Sequence, residues 1–167
     1  MKILIFGSVA SGKTTLAKRL SQELKIPYFE GDRIAWGFPN EKRYKRSYEE
    51  QKNVILKINQ NESWIIEGTY RESQRSAYDY ADKIIFLDLP LKQRKLRILT
   101  RFIRQKIGLE PCAYKPSMEM LKQMYQWTSD FERDREVHEA RLMRYREKLI
   151  WVKSEGELDG ILNKLRP

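Results

Sequence analysis

The sequence predicts an α/β fold in which a five-stranded parallel sheet lies between layers of helices. Short apolar runs alternate with longer amphipathic stretches along the chain, as in strand–helix–strand crossovers. The apolar runs are continuous rather than alternating, as expected for strands buried on both faces. The first run leads directly into a glycine-rich loop and then a helical stretch. We therefore predict strands at 2–6, 27–30, 64–67, 83–88 and 149–153. Helices are predicted at 13–24, 47–59, 91–107, 117–148 (in two pieces) and 157–165.

The loop after the first strand carries the most specific motif of the chain. It reads GSVASGKTT from Gly7 to Thr15, which is the G-x-x-x-x-G-K-[ST] pattern of a P-loop (Walker A). Such a loop points its N–H groups at phosphates, and the following helix adds its positive dipole end. We expect Lys13 to reach the β- and γ-phosphates of ATP and Thr14 to offer its hydroxyl to Mg²⁺. The predicted nucleotide-binding residues are Gly7, Ser8, Ala10, Ser11, Gly12, Lys13, Thr14 and Thr15.

Length and composition indicate a single soluble domain. The chain has 167 residues, for which one domain spanning 1–167 is expected. Its single cysteine excludes an intrachain disulfide, which fits a reducing compartment. Because no run approaches the roughly 20 apolar residues that a membrane helix needs, we expect a cytoplasmic protein without a membrane partner. The lone His138 lies in a polar helical stretch and is interpreted as a surface residue.

The formal net charge of +10 favours anionic partners. A site that closes on polyphosphates would use this charge, and so would a surface that binds nucleic acid weakly and in a salt-dependent way. The sequence contains no helix-turn-helix or zinc finger that would decide for DNA. The oligomeric state stays open between a monomer and a homodimer.

Carboxylates follow three of the predicted strands, at the edge where ligands bind in an open α/β sheet. Glu67 and Asp88 each end an apolar run, and one of them is expected to hold a Mg²⁺-bound water beside Thr14. We favour Glu67 as the metal ligand; Asp88 has the alternative role of helix N-cap. Asp32 and Arg33 follow the second strand, where an acceptor would be grasped. Asp32 can orient an acceptor hydroxyl and take its proton.

Four arginines share one face of the helix predicted at 91–107, namely Arg94, Arg97, Arg101 and Arg104. Guanidinium groups neutralise charge on a transferring phosphoryl group, and we assign this role to Arg97 and Arg101. Another face carries apolar residues that we expect to pack inward: Leu96, Leu99 and Ile103. The segment 108–116 contains helix breakers and is either the joint of a closing lid, placed near 91–130, or an ordinary turn.

These motifs together resemble the P-loop kinases that include adenylate kinases and shikimate kinases. Within that group the chain is most similar to the small topology modulation (FlaR-like) proteins, and the likeness covers most of its length. The resemblance implies strand order 2-3-1-4-5, ATP as phosphoryl donor and an arginine-bearing lid. It also implies acceptor contacts at Asp32, Gly68 and Arg71. Glu30 stands where the first aspartate of the shikimate kinase pair would lie, and the adenylate kinase acceptor pattern is missing. The acceptor of neither kinase can therefore be assigned to this chain.

Two functions from different classes compete. The first is an ATP- and Mg²⁺-dependent phosphotransferase that acts on a nucleoside, a nucleotide or a hydroxylated metabolite. The second is a DNA-associated ATPase or regulator of DNA topology, whose affinity for DNA would fall steeply with salt. A nucleotide-binding protein with little turnover is a third alternative.

Overall fold

A five-stranded parallel sheet organises the molecule, of which the computed structural model describes residues 1–37, 42–110 and 116–165. Its strands are β1 (Lys2–Gly7), β2 (Tyr28–Glu30), β5 (Trp64–Gly68), β6 (Lys83–Leu87) and β7 (Leu149–Val152). They lie in the order β2-β5-β1-β6-β7 and all pair in parallel. Counted along the chain, this is the order 2-3-1-4-5, so the predicted fold class and strand order are confirmed. A two-stranded hairpin, β3 (Trp36–Gly37) with β4 (Tyr44–Lys45), was not predicted.

Helices cover both faces of the sheet, because the residues of each strand alternate between two apolar cores. Ile3 and Ile5 of β1 pack in one core with α1 (Lys13–Leu24) and α9 (Ile161–Leu165). Leu4 and Phe6 pack in the other, with α3 (Tyr48–Asn59), α4 (Ser76–Tyr80), α6 (Met118–Arg133) and α7 (Arg135–Met143). The chain therefore forms three layers. The remaining helices are α2 (Gly31–Ala35), α5 (Leu91–Lys106) and α8 (Glu155–Asp159).

Most predicted elements are present with ends that match the prediction or differ from it by one residue. The predicted segment 117–148 does contain two helices, followed by a 3-10 turn at Arg146–Lys148. The prediction of one helix over 157–165 is wrong, since α8 and α9 are separate and Gly160 lies between them. The short helices α2 and α4 carry no periodic pattern long enough to be recognised. Most of the predicted joint at 108–116 lies outside the described residues.

Helix α5 does not bury the apolar face that we expected to pack inward. Its apolar residues Leu96, Leu99 and Ile103 are 64%, 39% and 48% exposed, so the prediction that they pack inward is wrong. Arg94 points inward instead and is only 1% exposed, together with Ile98. Its Nε donates to the carbonyl of Leu89 at 2.8 Å, and its Nη2 pairs with Glu132. The interior tolerates this guanidinium because these two acceptors replace part of its hydration.

Among the described residues, no helix combines the length and the apolar character that crossing a membrane requires.

Candidate nucleotide and acceptor site

The loop between β1 and α1 has the backbone geometry of an anion-binding nest. Gly12 has a φ of 96°, in the left-handed region that favours glycine, and Ala10 also has a positive φ of 57°. Ser8 and Ser11 are 1% and 0% exposed, and their hydroxyls have no hydrogen-bond partner among the described residues. Buried polar groups normally have a partner. The loop therefore offers donors that fit the phosphate oxygens of a nucleotide, while Thr15 behind it is exposed.

Lys13 lies folded over this loop, where its Nζ donates to the carbonyl of Ser8 at 2.7 Å. Burial lowers the pKa of Lys13, and the negative charges of Glu67 and Asp32 oppose that shift. The positive charges of Arg71 and Arg101 lower the pKa further. The ammonium group therefore lies within electrostatic range of two carboxylates and two arginines that the sequence analysis selected from distant parts of the chain.

Glu67 lies next to the P-loop, because β5 is the direct neighbour of β1. Its Oε1 accepts a hydrogen bond from the Thr14 hydroxyl at 2.9 Å, and the residue is only 6% exposed. Burial raises the pKa of Glu67, while the charge of Lys13 and the Thr14 hydroxyl oppose the rise. A hydroxyl and one carboxylate fit Mg²⁺, which takes few protein ligands and completes its shell with phosphate oxygens and water. The structure thus brings together the two predicted metal ligands, Thr14 and Glu67.

Asp88, the alternative metal ligand, is occupied elsewhere. Its two oxygens accept bonds from the two Nη atoms of Arg135, each at 2.9 Å, and from Trp151 Nε1 at 3.1 Å. The alternative role as N-cap is also wrong, since Pro90 holds the N-cap position of α5 and makes no side-chain cap bond. Asp88 therefore ties α7 to β7.

A second group of polar residues lies beside the P-loop, at the carboxyl ends of β2 and β5. Asp32 is the second residue of α2, and its Oδ1 accepts a hydrogen bond from Arg71 Nη2. Gly31 and Gly68 approach each other closely, since a methyl group added to either would lie 3.4 Å from the Cα of the other. Arg33 does not join this group. Its side chain is 79% exposed and pairs with Glu30 at 3.5 Å.

A buried hydrogen-bond network supports this second group. Gln74 is 5% exposed, and its Nε2 donates to the Gly31 carbonyl at 3.0 Å and to Gln51 Oε1 at 3.1 Å. Gln51 Nε2 donates in turn to the carbonyl of Arg46 at 2.9 Å. The network fixes the backbone on both sides of the Asp32–Arg71 pair. The sequence analysis missed it, because single glutamines in helical stretches carry no distinguishing pattern.

The two arginines selected on α5 lie on the P-loop side of that helix. Arg97 Nη1 donates to the Ala10 carbonyl at 3.4 Å, and its Nη2 pairs with Glu155. Arg101 pairs with Glu110 at 3.6 Å and is close enough to Lys13 to affect its pKa. Of the other two arginines on the predicted face, Arg94 is buried and Arg104 is exposed.

The interpretation of His138 as a surface residue is wrong. Its ring is stacked on Phe131, with centroids 4.4 Å apart, and lies 5.6 Å from the ring of Phe6. Burial lowers the pKa of His138, and Arg141 lowers it further against the opposing charge of Asp134. His138 is therefore half-buried and packs against the aromatic side of the core.

Comparisons with known proteins identify the fold. No protein-family model matches the chain, and no curated protein matches its sequence. Solved structures do match. Shikimate kinase from Acinetobacter baumannii, in complex with shikimate, has a TM-score of 0.57 at 13% identity, over 98% of this chain and 92% of that one. Deoxyadenosine kinase from M. mycoides has a TM-score of 0.51 at 18% identity, over 99% and 98%. A protein from Eubacterium ventriosum has a TM-score of 0.55 at 17% identity, over 98% of both chains.

These neighbours show that the chain shares its α/β fold with the two kinases over nearly its whole length. At such low identities the likeness establishes the fold alone. The finer expectation, a likeness to the topology modulation proteins, is not confirmed.

Proposed function

We propose that the protein is an Mg²⁺- and ATP-dependent phosphotransferase with a small acceptor: a nucleoside, a nucleotide or a hydroxylated metabolite. The observation that carries this proposal is the 2.9 Å bond between the Thr14 hydroxyl and Glu67, with the Asp32–Arg71 pair beside it. A nucleotide-and-metal half and an acceptor half thus meet at one edge of the sheet. The known structures with this fold include a shikimate kinase and a deoxyadenosine kinase, which supports a kinase reaction.

Each residue in the nucleotide half has a role that its position supports. The loop from Gly7 to Thr15 would hold the phosphates through its N–H groups, and Lys13 would turn from the Ser8 carbonyl toward the β- and γ-oxygens. Thr14 and Glu67 would hold Mg²⁺, which would neutralise charge on the phosphates. Arg97 and Arg101 would approach the transferring group from α5, as part of a helical lid near 91–130 within a single domain.

The acceptor half would orient one hydroxyl toward the γ-phosphorus. In the reaction, the bond from the γ-phosphorus to the bridging oxygen of ADP breaks and a bond to the acceptor oxygen forms. Asp32 would take the acceptor's proton and release it to water. Arg71 would orient both Asp32 and the acceptor, and the backbone of Gly68 would lie behind them. Arg33 would contact only a part of the acceptor that extends toward solvent, given its exposure.

The test is conversion of ATP to ADP with Mg²⁺ against nucleosides, nucleoside monophosphates, small hydroxylated metabolites and duplex DNA. We expect strong stimulation by one small molecule, and loss of that stimulation in Lys13→Ala and Asp32→Asn. Stimulation by DNA alone, lost at higher salt, would replace the kinase by the DNA-associated ATPase. Binding of ATP without turnover under every condition would refute both.

A further inference from the structure

A cavity of about 180 Å³ opens beside the proposed acceptor half. It begins at Tyr70, two residues after the end of β5, and continues between α4 and the segment that follows α7. Its size is below the roughly 300–1,000 Å³ of a complete small-molecule site, so it suits one part of a ligand. The buried Tyr78 forms its floor, and the other lining residues are Tyr70, Glu72, Arg75, Arg141, Arg144 and Tyr145.

The wall of this cavity carries uncompensated positive charge. Among the described residues that line it, Glu72 is the one carboxylate; this group accepts a hydrogen bond from the Tyr70 hydroxyl and lies 3.8 Å from Arg75. Arg141 and Arg144 form no ion pair within the described part of the chain. The Arg141 guanidinium instead lies over the Tyr70 ring, 3.9 Å from its centroid. Such stacking leaves the edge N–H groups of a guanidinium free to bind an anion.

The cavity and the acceptor half are joined through two consecutive residues. Tyr70 faces the cavity, and Arg71 bonds to Asp32 on the P-loop side. The positive charge of Arg71 lowers the pKa of Lys13 and that of Tyr78, so Arg71 is within electrostatic range of both groups. A small molecule that places a hydroxyl at Asp32 would extend past Arg71 to reach this cavity.

We infer that the acceptor carries an anionic group, a phosphate or a carboxylate, and that the cavity beside Tyr70 binds this group through Arg141 and Arg144. The inference rests on the proposed phosphotransferase function and narrows its substrate class. Neutral nucleosides and neutral polyols are then poor acceptors, since they leave these arginines unpaired. Arg141 and Arg144 act here in binding rather than in the chemical step.

The first test uses inorganic phosphate as a probe, which requires no knowledge of the acceptor. Phosphate is titrated calorimetrically into the protein, with and without saturating Mg²⁺ and ADP. We expect binding that persists when ADP fills the P-loop, and that weakens about tenfold or more in Arg141→Gln combined with Arg144→Gln. Arg133→Gln is the matched control for Arg144→Gln alone, because each removes one positive charge and Arg133 is exposed on α6 outside the cavity. Thermal unfolding verifies that each variant is folded, and Arg144→Gln alone tests the more exposed arginine.

The results separate this inference from the function on which it rests. Equal phosphate affinity in the wild type and the cavity variants, or no phosphate binding at all, would overturn the inference even if ADP binds. If ADP does not bind but phosphate binding still depends on the arginines, the proposed kinase function is refuted and the cavity is an anion-binding site.

Turnover with matched acceptor pairs tests the substrate class directly. Adenosine is compared with adenosine 3′-monophosphate, in which the 5′-hydroxyl stays free, and glucose with gluconate. We expect the anionic member of at least one pair to be the better acceptor, and Arg144→Gln to raise its KM more than it lowers kcat. The pair in which the anionic member is the better acceptor shows whether the cavity binds a phosphate or a carboxylate. Equal turnover of the neutral and anionic members would contradict the inference.

Discussion

Gly31→Ala is the substitution whose effect the geometry of the acceptor half predicts most sharply. The new methyl group would lie 3.0 Å from the carbonyl oxygen of Glu67 and 3.1 Å from Gln74 Oε1. The first neighbour is backbone of a central strand and cannot withdraw. The second belongs to a side chain held by bonds to the Gly31 carbonyl and to Gln51. Helix α2 must therefore move away from β5, and Asp32 moves with it.

The cost of this displacement combines overpacking with weakened hydrogen bonding. Overpacking a tight site costs about 1–3 kcal/mol, and a lost hydrogen bond adds about 1 kcal/mol. A loss of about 2 kcal/mol would lower Tm by roughly 4–8 °C in a domain of this size. Thermal unfolding measures this loss, and turnover below Tm should fall because Asp32 is displaced.

Gly156→Ala is the control, because no atom of the described residues lies within 4 Å of a methyl group added there. It sits in the short helix α8, where alanine is favoured over glycine, so Tm should stay unchanged or rise slightly. Gly31→Ala with the stability and turnover of the wild type would refute the packing argument at the acceptor half.

Three further predictions concern residues outside that contact. Asp88→Asn should cost about 1–3 kcal/mol in urea unfolding and leave ATP affinity intact, because the bonds that it weakens join Asp88 to Arg135 and none of them involves the P-loop; a loss of ATP affinity of the same size would contradict this. Folding lowers the pKa of His138 below its usual value of 6.5. As the pH falls, the unfolded chain therefore binds a proton at this residue before the folded protein does. The free energy of unfolding should therefore fall between about pH 7.5 and about pH 5.5, and His138→Phe should remove most of that fall; an equal fall in both proteins would refute it. Arg97→Gln should lower kcat more than the affinity for ATP, and an equal loss of both would argue against a role in the transition state.

The parts of the structure that the sequence predicts well are those with local signals. The P-loop and its flanking strand and helix are contiguous, so one motif specifies all three. Glu67 could be placed beside Thr14 because the strand that carries the metal-binding carboxylate normally lies next to the P-loop strand. In each case a short segment or a single strand adjacency carries the information.

The parts that escaped prediction depend on contacts between distant segments. Periodicity along α5 distinguishes an arginine face from an apolar face, but it does not say which one the fold buries. Arg94 is buried because Glu132, 38 residues later, supplies its partner. The Gln51–Gln74 bond spans 23 residues, and the cavity joins Tyr70 to Arg141. Such arrangements become visible only once the helices are placed on the sheet.

The central claim is that the loop from Gly7 to Thr15 is a nucleotide site with Lys13 as its main charged contact. Titration calorimetry of ATP with Mg²⁺ into the wild type and Lys13→Ala tests it most directly, with thermal unfolding as the check that both are folded. Losing hydrogen bonds to a charged group costs about 1.5–3 kcal/mol, so the variant should bind ATP about 10- to 150-fold more weakly. Equal ATP affinity in the two folded proteins, or no binding by the wild type, would contradict the account.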